Sequence, residues 1–201
     1  MRAVADLRLG LCALLLSSCG GDAIPKPRGY FRIDLPAKAY VPYRSACFSA
    51  EVPSFSRFVP RAMEGQKCWG DLDYGPYRAQ VHLTYRSVVG DLGQLIEDAH
   101  DFRAKHESKA VRIRSERILN DSARVYGTYF DVEGNVASPL VFYLTDSTSN
   151  FLYGSLYFRT RPNADSLAPI TDRIREDMRH FARTLRWNDG PGSVQQAQDH
   201  R

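Results

Sequence analysis

Five histidines, three neighbouring carboxylates and four cysteines are the side chains of this 201-residue chain that could do chemistry. His100 and His106 lie six positions apart, about 240° round a helix, so they do not share a face as helical metal pairs at three or four positions do. His82 alternates onto the polar side of a strand pattern, His180 lies beside the apolar stripe of a helix pattern, and His106 falls near a helix end, where the last carbonyls could engage it. His200 belongs to the polar C-terminus. Glu97, Asp98 and Asp101 have the look of paired carboxylates for acid–base work. They fall on the outward face of an amphipathic helix beside Arg103 and Lys105, and a solvated charged face accounts for them. No G-x-S-x-G, P-loop, H-E-x-x-H or dinucleotide fingerprint occurs. Ser147, Thr148 and Ser149 read as a turn, since no helix follows them. No catalytic residue, metal ligand or cofactor is assigned, although a triad assembled from distant residues would leave no local motif.

The cysteines say more. Residues 1–19 read MRAVADLRLGLCALLLSSC, with Arg2 and Arg8 around a short polar segment and an apolar stretch from Leu9 to Leu16. That stretch is too short to span a bilayer and fits a signal-peptide core. Leu16-Ser17-Ser18-Cys19 resembles the lipobox of bacterial lipoproteins, which implies a diacylglycerol thioether on Cys19 and a mature chain starting there. Two or more acyl chains hold such a protein on a membrane, at about 0.8 kcal/mol per buried methylene. A secreted protein with a chance cysteine near its cleavage site is the alternative. Gly20–Pro27 (GGDAIPKP) then reads as a tether, first flexible and then stiff. Cys12 lies in the segment to be removed, which leaves Cys47 and Cys68 as an even pair in an oxidising compartment. The adopted reading is a disulfide, whose closure would contribute about 3 kcal/mol. Two buried thiols or a weak metal pair are the other uses, but a tetrahedral zinc site would lack ligands.

Composition sets the frame for these groups. The chain is 43% apolar, 25% charged and 11% aromatic, with 14 Gly and 11 Pro, which excludes collagen-like, low-complexity and wholly disordered classes. Its 27 Lys and Arg against 23 Asp and Glu give a net charge of +4 without a basic run, so a nucleic-acid partner is not indicated.

The expected elements follow from periodicity. Tyr30–Leu35, Cys47–Phe55, Lys67–Tyr74 and Tyr77–Tyr85 alternate as strands, the last with Ala79, Val81, Leu83 and Tyr85 on one face. A helix is expected over Gly90–Lys105 from Leu92, Leu95, Ile96, Ala99 and Phe102, with Asp91 as its cap. Ala110–Ile118, Arg124–Val132, Ser138–Thr145 and Phe151–Thr160 are joined by short turns and read as an antiparallel meander. A long helix closes the domain over Ser166–Arg186, with Pro169 in its first turn and a stripe of Leu167, Ile170, Ile174, Met178, Phe181 and Leu185. The expectation is a signal peptide at 1–18, a lipidated tether at 19–29, one α+β domain at 30–187 and a disordered tail at 188–201. Its antiparallel sheet would pack with a central helix and a long C-terminal helix, a Mog1/PsbP-like sandwich by analogy. Ile24–Pro36 and Thr145–Pro169 are rich enough in Tyr and Arg to serve as interfaces, or else their tyrosines cover a half-exposed sheet.

Those two segments also carry a family resemblance. IPKPRGYFRIDLP, Cys68-Trp69, HLTY at His82–Tyr85, LIED at Leu95–Asp98, RVYG at Arg124–Gly127, YLTDST at Tyr143–Thr148, GSLYF at Gly154–Phe158 and RPNADSLAP at Arg161–Pro169 followed by IRED resemble the GldD family of gliding-motility lipoproteins. The likeness runs over residues 12–187. It implies a membrane-anchored, non-enzymatic accessory or assembly component of the gliding apparatus and the type IX secretion machinery in the cell envelope, with its domain in the periplasm. It implies other envelope proteins as partners and no cofactor, and brings no catalytic residue. Only Cys19 and the Cys47/Cys68 pair match positions with an assignable chemical role. A small-ligand carrier and an envelope hydrolase using His82 or His106 with Asp98 are the alternatives.

Overall fold

The computed structural model describes residues 33–61, 68–104 and 110–188. Its strands are β1 (Tyr40–Arg44), β2 (Phe48–Pro53), β3 (Arg57–Pro60), β4 (Gly70–Asp73), β5 (Ala79–Ser87), β6 (Arg112–Asn120), β7 (Val125–Glu133), β8 (Leu140–Thr145), β9 (Asn150–Phe158) and β10 (Arg186–Trp187). Helix α1 (Leu92–Ala104) follows β5, and helix α2 (Ala164–Thr184) follows β9. All strand pairs are antiparallel, so the expected α+β class holds. The large sheet runs β3-β4-β5-β9-β8-β7-β6, and the small one runs β1-β2-β10. Strands β6 to β9 are the expected meander, and β9 closes it onto β5 over nine register pairs from Ala79↔Phe158 to Ser87↔Asn150.

All six residues of β8 (LVFYLT) are buried, because both faces of the sheet are covered there. Leu140, Phe142 and Leu144 join Ile170, Ile174, Met178 and Phe181 of α2 and Phe48, Ala50 and Val52 of β2 in the main core. Val141 and Tyr143 point the other way, into a smaller core with Leu95 and Ala99 of α1, Phe130 and Phe151. Helix α2 starts where Asn163 Oδ1 accepts from the Ser166 N–H at 3.2 Å and Asn135 Oδ1 accepts from the Ala164 N–H at 2.9 Å. Pro169 is therefore its sixth residue, inside the helix and not in the first turn as expected. At α1, the Asp91 carbonyl takes the first helical bond from Leu95, while its side chain accepts from Val89 N–H instead of from the helix.

The expected first strand fails where it can be seen. Ile33–Ala39 is irregular, because the carbonyl of Asp34 accepts from Tyr77 and that of Pro36 from Arg173 Nη1, side chains standing in for a neighbouring strand. The first strand begins instead at Tyr40. There Pro42 suppresses the sequence signal but is tolerated, since β1 is an edge. Strands β3 and β10 are four and two residues long and fall below the length that alternation can show.

Two close approaches fix the sheet. A Cβ on Gly154 would lie 2.1 Å from the Phe142 ring, and one on Gly127 would lie 1.9 Å from the Tyr143 carbonyl oxygen. The Phe142 ring thus lies over its register partner Gly154, filling the space a side chain would take.

Under α2 lies a buried charge pair. Arg173 Nε donates to Asp177 Oδ1 at 3.0 Å, with Arg173 6% and Asp177 0% exposed. The Tyr40 hydroxyl donates to the same oxygen at 2.9 Å, and the guanidinium carbon sits 5.5 Å from the Phe55 ring centroid. Burial raises the Asp177 pKa above the usual carboxylate value, although Arg173 and Tyr40 pull it down. Burial, with the help of Asp177, pushes the Tyr40 hydroxyl up to about 12 and that of Tyr74 well above its ordinary value.

Gly154→Ala drives a methyl group into a ring that the core holds in place. The expected loss is about 1–3 kcal/mol, read as a lower urea midpoint with unchanged slope. Arg173→Met strips the buried carboxylate of its cation and is expected to cost about 3–5 kcal/mol; a midpoint equal to that of the unsubstituted chain would show the pair to be dispensable.

Candidate functional site

The polar residues of β4, β5 and β9 share one face by strand register. Asp71 lies opposite His82, and His82 opposite Ser155; Asp73 lies opposite Gln80, and Gln80 opposite Tyr157. On the other face of the same strands, Leu72, Val81, Leu83 and Leu156 enter the main core. The sheet's period of two therefore turns this polar set to the face away from the main core, with Ser155 itself buried.

The set is bonded end to end. His82 Nδ1 pairs closely with Asp71 Oδ1, and Arg61 Nε donates to Asp71 Oδ2 at 2.9 Å. The Gln80 amide nitrogen lies 3.0 Å from His82 Nε2, while its oxygen accepts from Arg159 Nε and Nη2 at 3.1 and 2.9 Å. Arg159 Nη2 also meets Asp73 Oδ2 at 3.2 Å. The Asp71 carboxylate, an acceptor only, takes Nδ1–H and leaves Nε2 to accept from Gln80, while Arg61 Nη2 stands 2.9 Å from the same Nδ1. The row Asp71–His82–Ser155 has the residue types of a nucleophilic triad. Its outer nitrogen is nevertheless held by Gln80, and among the described residues no hydrogen bond joins Ser155 to His82.

The other sequence candidates scatter. Asp98, which the hydrolase alternative joins to His82 or His106, is exposed on α1 and bonded to Gln94 at 2.9 Å; Asp71 holds the His82 imidazole. Hairpin pairing decides this, since β4 and β5 put Asp71 beside His82 while α1 carries Asp98 separately. Glu97 and Asp101 are exposed, as a solvated face requires. His100 packs edge-on against Phe130, at 5.1 Å between ring centres. His180 Nε2 meets Glu51 Oε2 at 2.6 Å and stacks on Tyr40 at 3.7 Å. Cys19, His106 and His200 lie outside the described residues, as do the tether at 19–29 and residues 189–201. Among the described residues, no group of three His, Cys, Asp or Glu is arranged to hold a metal, and no helix is long and apolar enough to cross a membrane. Sequence reasoning missed Arg61, Asp71, Gln80 and Arg159. The hairpin signal at Asp73–Tyr77, followed by alternation in β5, was the available clue to Asp71 and Gln80.

Three further features complete the surroundings. Cys47 and Cys68, which precede β2 and β4, are joined by a disulfide with 6.2 Å between their Cα atoms, tying the small sheet to the large one. A cleft of about 240 Å³ opens beside the start of α2, between Val136, Pro139, Phe158 and Leu167 and next to Arg175. The β8–β9 turn is organised by Asp146, whose Oδ1 accepts from the N–H groups of Thr148, Ser149 and Asn150 at 2.8–2.9 Å. Its Oδ2 accepts from the Asn150 amide at 2.7 Å. Burial alone would raise its pKa, but the donors from Asn150, Ser149 and Thr148 outweigh it and hold the carboxyl down at about 2.

Together these features define a disulfide-closed α+β domain whose outward polar groups are bonded mainly to one another. The family described as gliding motility lipoprotein GldD matches residues 20–187, and the chain belongs to that family. It is therefore a lipoprotein of the cell envelope, of a kind involved in gliding motility. Among solved structures, it is similar to the solution structure of cyanobacterial PsbP (CyanoP) from Synechocystis sp. PCC 6803. That likeness has 13% identity and a TM-score of 0.45, and covers 87% of this chain and 99% of that one. No curated protein matches the sequence significantly.

Because the folded-state pKa of Asp146 lies below its usual 3.8, its contribution is full above that value and is lost as the pH falls through about 2. Asp146→Asn is expected to cost about 1–2 kcal/mol at pH 7. The gap between variant and unsubstituted chain, read from urea midpoints, should close between pH 5 and pH 2.

Proposed function

We propose that this chain is a membrane-anchored, non-enzymatic component that supports assembly of the gliding-motility and type IX secretion machinery. Cys19 takes its lipid before a signal peptide at residues 1–18 is removed, residues 19–29 act as a tether, and residues 30–187 form the single working domain on the periplasmic side. The match of the gliding motility lipoprotein family over residues 20–187 carries this reading. The side-chain geometry supports it, because His82 is braced by Asp71 and Gln80 and thereby serves the sheet as a strut. Its partners are other envelope proteins of the same machinery.

Cys19→Ala tests the anchoring directly. With the variant's own level confirmed by immunoblot, gliding and secretion should fall and other motility lipoproteins should lose abundance. Undiminished gliding and secretion by a stable variant would mean that the lipid is dispensable, and the tethered-component reading would fall with it.

A further inference from the structure

Strand register places Arg44 at the end of β1 and Arg186 in β10 on either side of Ser49 in β2. Ser49 points away from the core, since its neighbours Phe48 and Ala50 point into it. Arg183, in the last turn of α2, stands beside the same row. The four residues line an open groove of about 320 Å³ together with Thr184 and Glu51. Glu51 is the one carboxylate lining the groove, and the imidazole of His180 engages it. Arg186 sets Nη1 on the Leu185 carbonyl at 2.7 Å, which leaves the guanidinium its remaining donors. Among the described residues, no carboxylate lies within ion-pair distance of Arg44, Arg183 or Arg186. Arg61, Arg114, Arg159, Arg173, Arg175 and Arg179, by contrast, each meet one.

We propose that this groove is a binding site for a phosphate group, supplied by the headgroup of an anionic phospholipid or by free phosphate. Three guanidinium groups and a serine hydroxyl around one concavity match the charge and acceptor oxygens of phosphate. The groove is shallow and wet, so each cation acts weakly. A domain tethered to a membrane meets headgroups at high effective concentration, which lets a weak site fill. The proposal rests on the anchoring proposed above only for that supply of headgroups.

The test uses the full chain carrying Cys19→Ala, so that lipid on the protein plays no part, with and without Arg44→Gln, Arg183→Gln and Arg186→Gln together. Co-sedimentation is measured with phosphatidylcholine vesicles, either pure or containing phosphatidylglycerol. The N-terminal segment is common to both chains, so its own affinity for vesicles cancels. Preferential binding to phosphatidylglycerol that drops about tenfold or more in the triple variant, and that millimolar inorganic phosphate leaves intact, assigns the site to lipid. Calorimetric binding of inorganic phosphate that is lost in the triple variant assigns it to the free ion. Equal behaviour of the two chains toward vesicles and phosphate overturns the proposal. So does binding of polyglutamate alone, which would make the groove a contact for an acidic protein. Thermal unfolding checks the fold of the triple variant. If it melts early, Arg44→Gln alone, at an exposed strand end, decides by a severalfold loss or none. None of these readouts involves gliding or secretion, so this proposal and the tethered-component reading fail separately.

Discussion

Arg173 and Asp177, one turn apart on α2, put a charge pair almost wholly out of water, and much of the domain is arranged to make that tolerable. A desolvated pair returns its solvation cost only when further hydrogen bonds occupy the remaining lone pairs and protons. Here Tyr40 from β1 donates to the same oxygen that Arg173 holds, the Pro36 carbonyl accepts from the guanidinium and Phe55 offers its ring face, which offsets part of the cost. Asp177 Oδ2 and Arg173 Nη2 are buried without a hydrogen-bond partner. Tyr40, Pro36 and Phe55 all come from the N-terminal third of the described chain. The pair therefore gives specificity: it selects one placement of Ile33–Tyr40 against the C-terminal helix. An apolar contact could slide there; a buried carboxylate cannot.

That placement matters because Ile33–Tyr40 is where the chain enters the domain. In the reading proposed above, any pull on a tether is transmitted through this segment. Its carbonyls are gripped by Arg173 and Tyr77, and β1, immediately after it, is zipped to β2 over five pairs. The Cys47–Cys68 bridge then hands the load from the small sheet to the large one. Asp71, His82, Gln80 and Arg159 are bonded to one another from β4 through β5 to the end of β9.

Periodicity showed the long elements because burial writes it directly. The α2 stripe of Ile170, Ile174, Met178 and Phe181 is fully buried, and the four-strand meander lies within two residues of where alternation puts it. The misses have physical causes. In β1, Pro42 reads as a break, yet an edge strand can spare the donor. The segment ending in Leu35 alternates like a strand, but side chains of distant residues take its carbonyls, and no local pattern reports that. The helix starts two residues earlier because Asn163 accepts from the Ser166 N–H and Asn135, distant in sequence, accepts from the Ala164 N–H. For the candidate site, His82 was visible on the polar side of its strand, whereas its partner was not. Asp71 and Asp98 are both within reach in sequence, and only the register of a hairpin chooses between them. The arginine groove draws Arg44, Arg183 and Arg186 from both ends of the domain, so it exists only after folding.

The segments that carry the family resemblance gain a meaning from this geometry. YLTDST supplies Asp146, which closes the β8–β9 turn with three backbone donors. RVYG and GSLYF supply Gly127 and Gly154, where a neighbouring carbonyl and a ring leave no room for a side chain. RPNADSLAP supplies the Asn163 cap of α2, and IRED ends in Asp177 of the buried pair. Each of these five motifs contains a residue whose type the fold dictates at that point, through a turn, a close approach, a cap or a buried charge. The most recognisable stretches of the chain specify its architecture. The groups left to meet a partner or a surface, such as the arginines around Ser49, sit on strand ends and a last helical turn outside every one of those motifs.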